Sequence, residues 1–233
     1  MKYRLAVFDL DGTILDTLED LADSTNHALA VNGLPERSID EVRQFVGNGI
    51  RNLIERAVPE GTGDELTDRV FSEFREYYAI HCFDKTRPYE GILECMENIR
   101  RDGMQVAVVS NKADFAVQEL YERFFAGLSD ISVGEREGVR RKPYPDSVLH
   151  VLDSLGVEKE DAVYIGDSEV DIKTAENAGL DEIAVEWGFR DSEYLRTQGA
   201  KTLVKTPAEL YMKLTPVSYT HLDVYKRQYM AFA

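Results

Sequence analysis

From residue 104 onward the sequence repeats one unit: a short run of apolar, β-branched or aromatic residues, then a segment of helical length. Residues 104–109 read as a buried strand and are followed by helical spacing over 113–124. Residues 128–133 come next, with a helix over 145–155, then 161–165 with a helix over 170–178, and finally 182–185. Strands this short and this uniformly apolar, alternating with helices, specify a parallel sheet covered on both faces. The opening run, Tyr3-Arg4-Leu5-Ala6-Val7-Phe8, belongs to the same sheet by composition. Right-handed crossovers then gather the strand ends at one edge. The expected fold class is α/β: a doubly wound, Rossmann-like parallel-sheet core.

Between the first strand and residue 104 the period changes. Leu18, Leu21, Ala22, Thr25 and Leu29 keep helical spacing, and Gly33-Leu34-Pro35 ends that helix. Residues 39–46, 50–58 and 66–80 also read as helices, with no strand among them. A helical cap over residues 17–86 is therefore expected to interrupt a core built from residues 1–16 and 87–214. Its exits fall at Asp16-Thr17 and at Thr86-Arg87-Pro88-Tyr89-Glu90-Gly91, and two linkers on one side of a core make a hinge.

The tail is different in kind. Residues 217–228 can be encoded by a DNA stretch that, but for its last two bases, is its own reverse complement, and they resemble two joined transposon ends. Residues 216–233 are accordingly set aside, His221 with them, and the native fold is expected to end near Leu214.

A formal net charge of −16 repels nucleic acid and anionic membrane, and no apolar run approaches a bilayer span. The opening run over residues 3–8 meets acidic residues at once, where a signal peptide is expected to need a longer apolar stretch and a small-residue cleavage site. Cys82 and Cys95 have neither metal-ligand nor disulfide-framework spacing. The expectation is a cytoplasmic monomer or homodimer. An anionic substrate would need a local cation to offset so acidic a surface.

In open α/β sheets ligands bind beyond the carboxyl ends of the strands, so the residues just after each strand carry the chemistry. After the first strand comes Asp9-Leu10-Asp11-Gly12-Thr13. Alternation along an extended segment sends Asp9 and Asp11 to one side, where two carboxylates repel unless a cation joins them or one is protonated. Gly12 permits a tight turn, after which backbone N–H groups and Thr13 can hold phosphate oxygens. After the second strand, Ser110-Asn111-Lys112 places a hydroxyl where it can donate to a phosphate oxygen. Near the third, Arg140-Arg141-Lys142-Pro143-Tyr144-Pro145 supplies the local cation, with prolines fixing the loop and aiming Lys142 inward. After the fourth, Gly166-Asp167-Ser168-Glu169-Val170-Asp171 sets Asp167 where it can join Asp9 around a cation, with Asp171 one turn on to support Lys142 or a bound water. An all-oxygen carboxylate site with phosphate as co-ligand suits Mg²⁺ and not zinc.

Taken in chain order, these four positions resemble the four motifs of the haloacid dehalogenase superfamily, and the helical insertion resembles its first-position cap. The resemblance implies an Mg²⁺-dependent phosphate-monoester hydrolase acting on a small phosphorylated metabolite. Asp9 would be the nucleophile and form an aspartyl-phosphate, and Asp11 the general acid and base, which requires a pKa raised from a reference of ~3.9. Mg²⁺ would be held by Asp9, the Asp11 carbonyl and Asp167. The phosphoryl oxygens would be held by Gly12, Thr13, Ser110, Asn111 and Lys142, with Asp171 in support.

For the substrate, Phe45-Val46-Gly47-Asn48-Gly49-Ile50-Arg51, Arg87-Pro88-Tyr89-Glu90-Gly91 and Trp187-Gly188-Phe189-Arg190 resemble phosphoglycolate phosphatases. Gly47, Asn48 and Arg51 are then the expected cap contacts, Arg51 pairing with a substrate carboxylate. A sugar-phosphate phosphatase, a pyrophosphatase and a phosphomutase stay open within the superfamily. Outside it, the alternatives are a non-catalytic binding module and an aspartyl-phosphate receiver domain. The receiver is disfavoured because it needs an accepting Asp at the end of its third strand, which this chain does not offer, and has no helical insertion. A dinucleotide-binding oxidoreductase would need a glycine-rich turn after the first strand, where this chain reads Asp9-Leu10-Asp11-Gly12-Thr13.

Overall fold

The computed structural model describes residues 2–215. The set-aside tail lies outside the described residues. A six-stranded sheet in the order β5-β4-β1-β6-β7-β8 forms the centre, and every strand pair in it is parallel. Here β1 is Leu5–Phe8, β4 Gln105–Ala113, β5 Ile131–Glu135, β6 Ala162–Gly166, β7 Asp181–Val185 and β8 Leu203–Val204. The α/β fold class matches expectation.

The apolar runs are continuous because both faces of the sheet are covered. On β1, Ala6 and Phe8 join the core cluster containing Met96, Ile99 and Leu120, while Leu5 and Val7 join the opposite one with Val148, Val151 and Ala175. The first face is covered by α5 (Ile92–Arg101), α6 (Asp114–Leu120) and α10 (Pro207–Leu214), the second by α7 (Asp146–Leu155) and α8 (Glu169–Ala178). From β1 the chain steps to β4 and β5, then crosses back to β6 on β1's other side and on to β7 and β8. The reversal makes the carboxyl ends of β1, β4 and β6 the topological switch point, where a ligand crevice forms.

Several elements differ from the sequence reading. Strand β4 runs on through Ser110, Asn111 and Lys112 to Ala113, and its pairing with β5 shifts register between Val109 and Ala113. A short π-helix, Tyr121–Phe125, continues α6. A second, antiparallel pairing joins β2 (Leu15–Asp16) to β3 (Arg87–Pro88), so the two expected linkers form one ribbon. The helix α9 (Ser192–Thr197), α5, α10 and β8 are additional to the reading.

Between β2 and β3 lie α1 (Leu18–Val31), α2 (Ile39–Phe45), α3 (Ile50–Ala57) and α4 (Asp64–His81). They enclose an apolar cluster of their own, in which Leu29, Ile54, Val70 and Phe74 are fully buried. Ser38 and Glu41 cap α2 reciprocally, satisfying its first N–H groups. The buried Asp20 of α1 accepts from the Lys85 and Thr86 N–H groups at 2.8–3.1 Å, tying the start of this segment to its return.

Candidate active site

Asp9 is the first residue beyond β1 and is buried. Its Oδ1 accepts from the Leu10 N–H at 2.7 Å and lies 2.7 Å from Lys142 Nζ. Both donors act on Oδ1, which leaves Oδ2 as the oxygen free of a protein partner among the described residues. Lys142 arrives on the loop after β5, and its ammonium also donates to Asp171 Oδ1 at 2.8 Å and to the Tyr164 hydroxyl at 3.2 Å. Asn111 fixes this loop from β4: its side chain accepts from the Lys142 N–H at 2.8 Å and donates to the Lys142 carbonyl at 3.0 Å. It also donates to the Gly47 carbonyl at 3.2 Å.

Asp167 follows β6 and is held by two donors from distant parts of the chain. Thr13 Oγ1 donates to its Oδ1 at 3.2 Å and the Phe189 N–H to its Oδ2 at 2.7 Å. Gly12, at φ +87°, must be glycine twice over: a Cβ there would lie 2.3 Å from Asp167 Oδ2. Asp171 is anchored by Ser168, whose N–H and hydroxyl donate to Oδ2 at 3.1 and 2.6 Å.

One ligand atom from each of Asp9, Asp167 and Asp171 lies within 4.8 Å of the others. Burial, reinforced by the Asp171 charge, pushes the Asp9 carboxyl well above the usual range even against Lys142. The same causes raise Asp167 to about 7. Lys142 offsets the desolvation of its ammonium through Asp171 and Asp9 and stays charged. Three buried carboxylates facing one ammonium leave an excess of negative charge, and the donors are all oxygen. This arrangement fits a hard divalent cation.

Of the residues expected to hold a metal, Asp9 and Asp167 lie together, and Asp171, expected to support Lys142, does bind it while also lying close enough to share their cluster. The Asp11 carboxylate turns elsewhere. Lys112 Nζ donates to its two oxygens at 2.8 and 3.1 Å. Lys112, which the sequence reading did not single out, is buried and also donates to the Tyr78 hydroxyl of α4 at 2.7 Å. The Asp11 charge holds its ammonium up against desolvation, and burial raises the Tyr78 hydroxyl.

Asp9, Asp11, Ser110, Asn111, Lys112, Lys142 and Asp167 share one cavity, closed from the helical side by Leu21, Val46, Gly47, Ile50 and Leu53. Of the expected cap contacts, Gly47 lines this cavity, and Asn48 does not. The Asn48 carbonyl accepts from the Asn52 side chain, and the residue borders a separate groove with Pro143. Arg51 is not among the residues lining this cavity: it pairs with Glu55 one turn on and with Asp68 of α4, and its guanidinium sits over the Phe71 ring. Two carboxylates and an aromatic face already satisfy it away from the cavity. The arginine among the cavity's described lining residues is Arg190, bound to Glu169 at 3.0 Å and to the Arg43 and Val46 carbonyls at 2.7 and 2.8 Å.

The pattern shared by proteins of the haloacid dehalogenase-like hydrolase family matches residues 6–185, every strand-end position above included. The chain belongs to the haloacid dehalogenase-like hydrolases. Among relatives, phosphoglycolate phosphatase 1 of Pseudomonas aeruginosa is 34% identical over 212 residues, covering 86% of this chain and 75% of that protein. An N-acetylmuramic acid 6-phosphate phosphatase of the same organism is 31% identical, covering 90% and 94%. A crystal structure from Lactobacillus delbrueckii subsp. bulgaricus, of a protein provisionally assigned as a phosphoglycolate phosphatase, superposes with a TM-score of 0.89 at 39% identity. It covers 93% of this hydrolase and 100% of that chain. No helix among the described residues of this hydrolase is long and apolar enough to cross a membrane.

Proposed function

We propose that this hydrolase is a phosphatase that cleaves 2-phosphoglycolate through an aspartyl-phosphate on Asp9. The observation that carries the reading is the meeting of Asp9, Asp11, Ser110, Lys142 and Asp167 in one cavity from four separate strand ends. In this reading residues 17–86 act as the cap and residues 1–16 and 87–214 as the core. Asp9 attacks phosphorus and the ester P–O bond breaks, while Asp11 gives its proton to the departing alkoxide. Water then attacks phosphorus, Asp11 takes a proton back, and the P–O bond to Asp9 breaks to release phosphate. Lys142 orients Asp9 through Oδ1 and, with Ser110 and the turn at Gly12 and Thr13, faces the phosphoryl oxygens as charge shifts, while the Asn111 side chain holds the Lys142 loop in place from the cavity wall.

Mg²⁺ is the cation this carboxylate set suits. Asp9 and Asp167 would hold it with Asp171 behind, and it would neutralise charge on the phosphoryl group. The chain's residues do the rest: they bind, orient and move protons.

The substrate rests on the relatives that carry the name phosphoglycolate phosphatase and on a cavity whose helical wall, Leu21, Val46, Ile50 and Leu53, favours a compact ester. The relative acting on N-acetylmuramic acid 6-phosphate, matched over nearly its full length, supports a sugar phosphate as the second reading. The deciding experiment measures phosphate release with Mg²⁺ from 2-phosphoglycolate, N-acetylmuramic acid 6-phosphate, other sugar phosphates, pyrophosphate and an aryl phosphate, beside Asp9→Asn. Selectivity for 2-phosphoglycolate that the substitution abolishes is expected. Preference for a sugar phosphate would move the substrate, and release that survives Asp9→Asn would end the aspartyl-phosphate reading.

A further inference from the structure

Lys112 is a buried cation of the cavity that the proposed reaction leaves without a task. Its side chain is 2% exposed. An ammonium has three N–H groups, and here the partners are the two Asp11 oxygens, at 2.8 and 3.1 Å, and the Tyr78 hydroxyl at 2.7 Å. A grip on both oxygens fixes the rotation of the Asp11 carboxylate, which a single contact would leave free. The lysine reaches that place because β4 departs from regular pairing between Val109 and Ala113, and such irregularities re-aim side chains beside active sites. Tyr78, 3% exposed, packs its ring against Phe74 inside the helical cluster, with ring centroids 5.2 Å apart. The lysine thereby links a residue beyond β1 to the interior of the cap.

We propose that Lys112 is a positioning residue for proton transfer at the leaving oxygen: it holds Asp11 in place, and Tyr78 ties that hold to a docked cap. The inference rests on the phosphatase reading above. The proton moves between Asp11 and the ester oxygen, and Lys112 itself gives up none. With the lysine absent Asp11 keeps its chemistry but loses its aim, and misaiming a catalytic group by even a small distance is costly.

The consequence is selective for the leaving group. An alkoxide needs the Asp11 proton as the ester bond breaks, whereas 2,4-dinitrophenolate leaves without one. The test compares kcat/KM, which reports steps up to the first bond cleavage, for a panel of alkyl phosphates including 2-phosphoglycolate and for 2,4-dinitrophenyl phosphate. For Lys112→Met the alkyl esters are expected to lose about 100-fold and the aryl ester no more than about threefold. Tyr78→Phe keeps the ring and its packing, so it reports even if Lys112→Met does not fold. It should show the same selectivity at about tenfold on alkyl esters. Equal losses on both ester types, or no loss on either, would overturn the proposal, because a merely structural lysine does not distinguish leaving groups. Which alkyl ester the unaltered enzyme prefers decides the substrate reading separately, and the alkyl-to-aryl ratio decides the role of Lys112.

Discussion

Lys142 Nζ lies 2.8 Å from Asp171 Oδ1, and the pair is almost wholly buried, the two side chains being 3% and 1% exposed. The same ammonium holds Asp9, so one cation serves two carboxylates. Lys142→Met preserves most of the volume and removes the charge. It is expected to lower kcat by 100-fold or more, since Asp9 loses its orienting donor and the phosphoryl oxygens a cation, by about the amount one preorganised donor supplies. Stability at pH 7.5 without metal should fall by about 3 kcal/mol, the scale of breaking a buried ion pair. Urea unfolding and steady-state rates read both, and a variant within tenfold of the parent in kcat would remove Lys142 from the mechanism.

Gly188 makes a second relationship testable. A Cβ there would lie 2.3 Å from Asp167 Cβ and 2.5 Å from the Gly12 carbonyl, both inside contact distance. Next to it, the Phe189 N–H donates to Asp167. Gly188→Ala must therefore push Asp167 out of the carboxylate cluster. The expected result is Mg²⁺ affinity reduced at least tenfold, measured by calorimetry, with the fold retained by circular dichroism. Parental affinity in the alanine variant would show that the loop gives way without moving Asp167.

The raised carboxyls set the pH dependence of metal binding. Asp167 sits at about 7 for reasons of burial and the Asp171 charge, and Asp9 is also raised. A cation needs the carboxylate forms, so protons compete with it below about pH 7. Apparent Mg²⁺ affinity should fall about tenfold from pH 7 to pH 6 and flatten above pH 8. Titrations in buffers of different ionisation enthalpy should reveal proton release on binding at pH 6.5. Affinity that is constant from pH 6 to pH 8 would contradict the protonated carboxyls.

Arg51 gives a prediction of small effect. Its guanidinium is engaged by Glu55 and Asp68 on the cap surface. Arg51→Ala should leave KM for the preferred phosphate ester within about twofold, because exposed ion pairs contribute little. A tenfold rise in KM would mean that the arginine turns inward to meet the substrate.

How far the sequence foretells this site depends on the range of the interaction. Strand β1 and Asp9 are legible because double-sided burial writes itself as an unbroken apolar run that stops at the acid. Lys142 is legible as a cation out of place in an acidic chain. Lys112 is not, because its aim is set by the irregular end of β4 and its partner Tyr78 comes from a distant helix. The β2–β3 ribbon, at two residues a strand, is too short for any periodicity to show. Gly188 matters only through its closeness to Asp167 and Gly12, which no local pattern encodes. Arg51 shows the opposite case: Glu55 stands at the i+4 position, so this pairing is local and legible in the sequence.

Glu182, on β7 away from the cavity, should govern part of the stability profile. Its Oε1 is buried without a hydrogen-bond partner, and its Oε2 accepts only from the Lys201 N–H at 3.3 Å. Burial raises the carboxyl from 4.5 to about 7, with the Asp171 charge adding to it. Below pH 4.5 the group is neutral in both folded and unfolded chains and contributes no pH dependence. Between there and pH 7 the unfolded chain gives up the proton that the folded chain keeps, so stability falls as pH rises through this window and levels off above it. The full shift is an upper bound, since part of the side chain is exposed and screened by solvent, and a loss of about 1 kcal/mol is expected. Glu182→Gln cannot ionise, so it should match the parent near pH 4.5 and exceed it in urea unfolding at pH 8. A parent and variant that differ by the same amount at both pH values would show that the carboxyl ionises in the folded protein as it does in the unfolded chain.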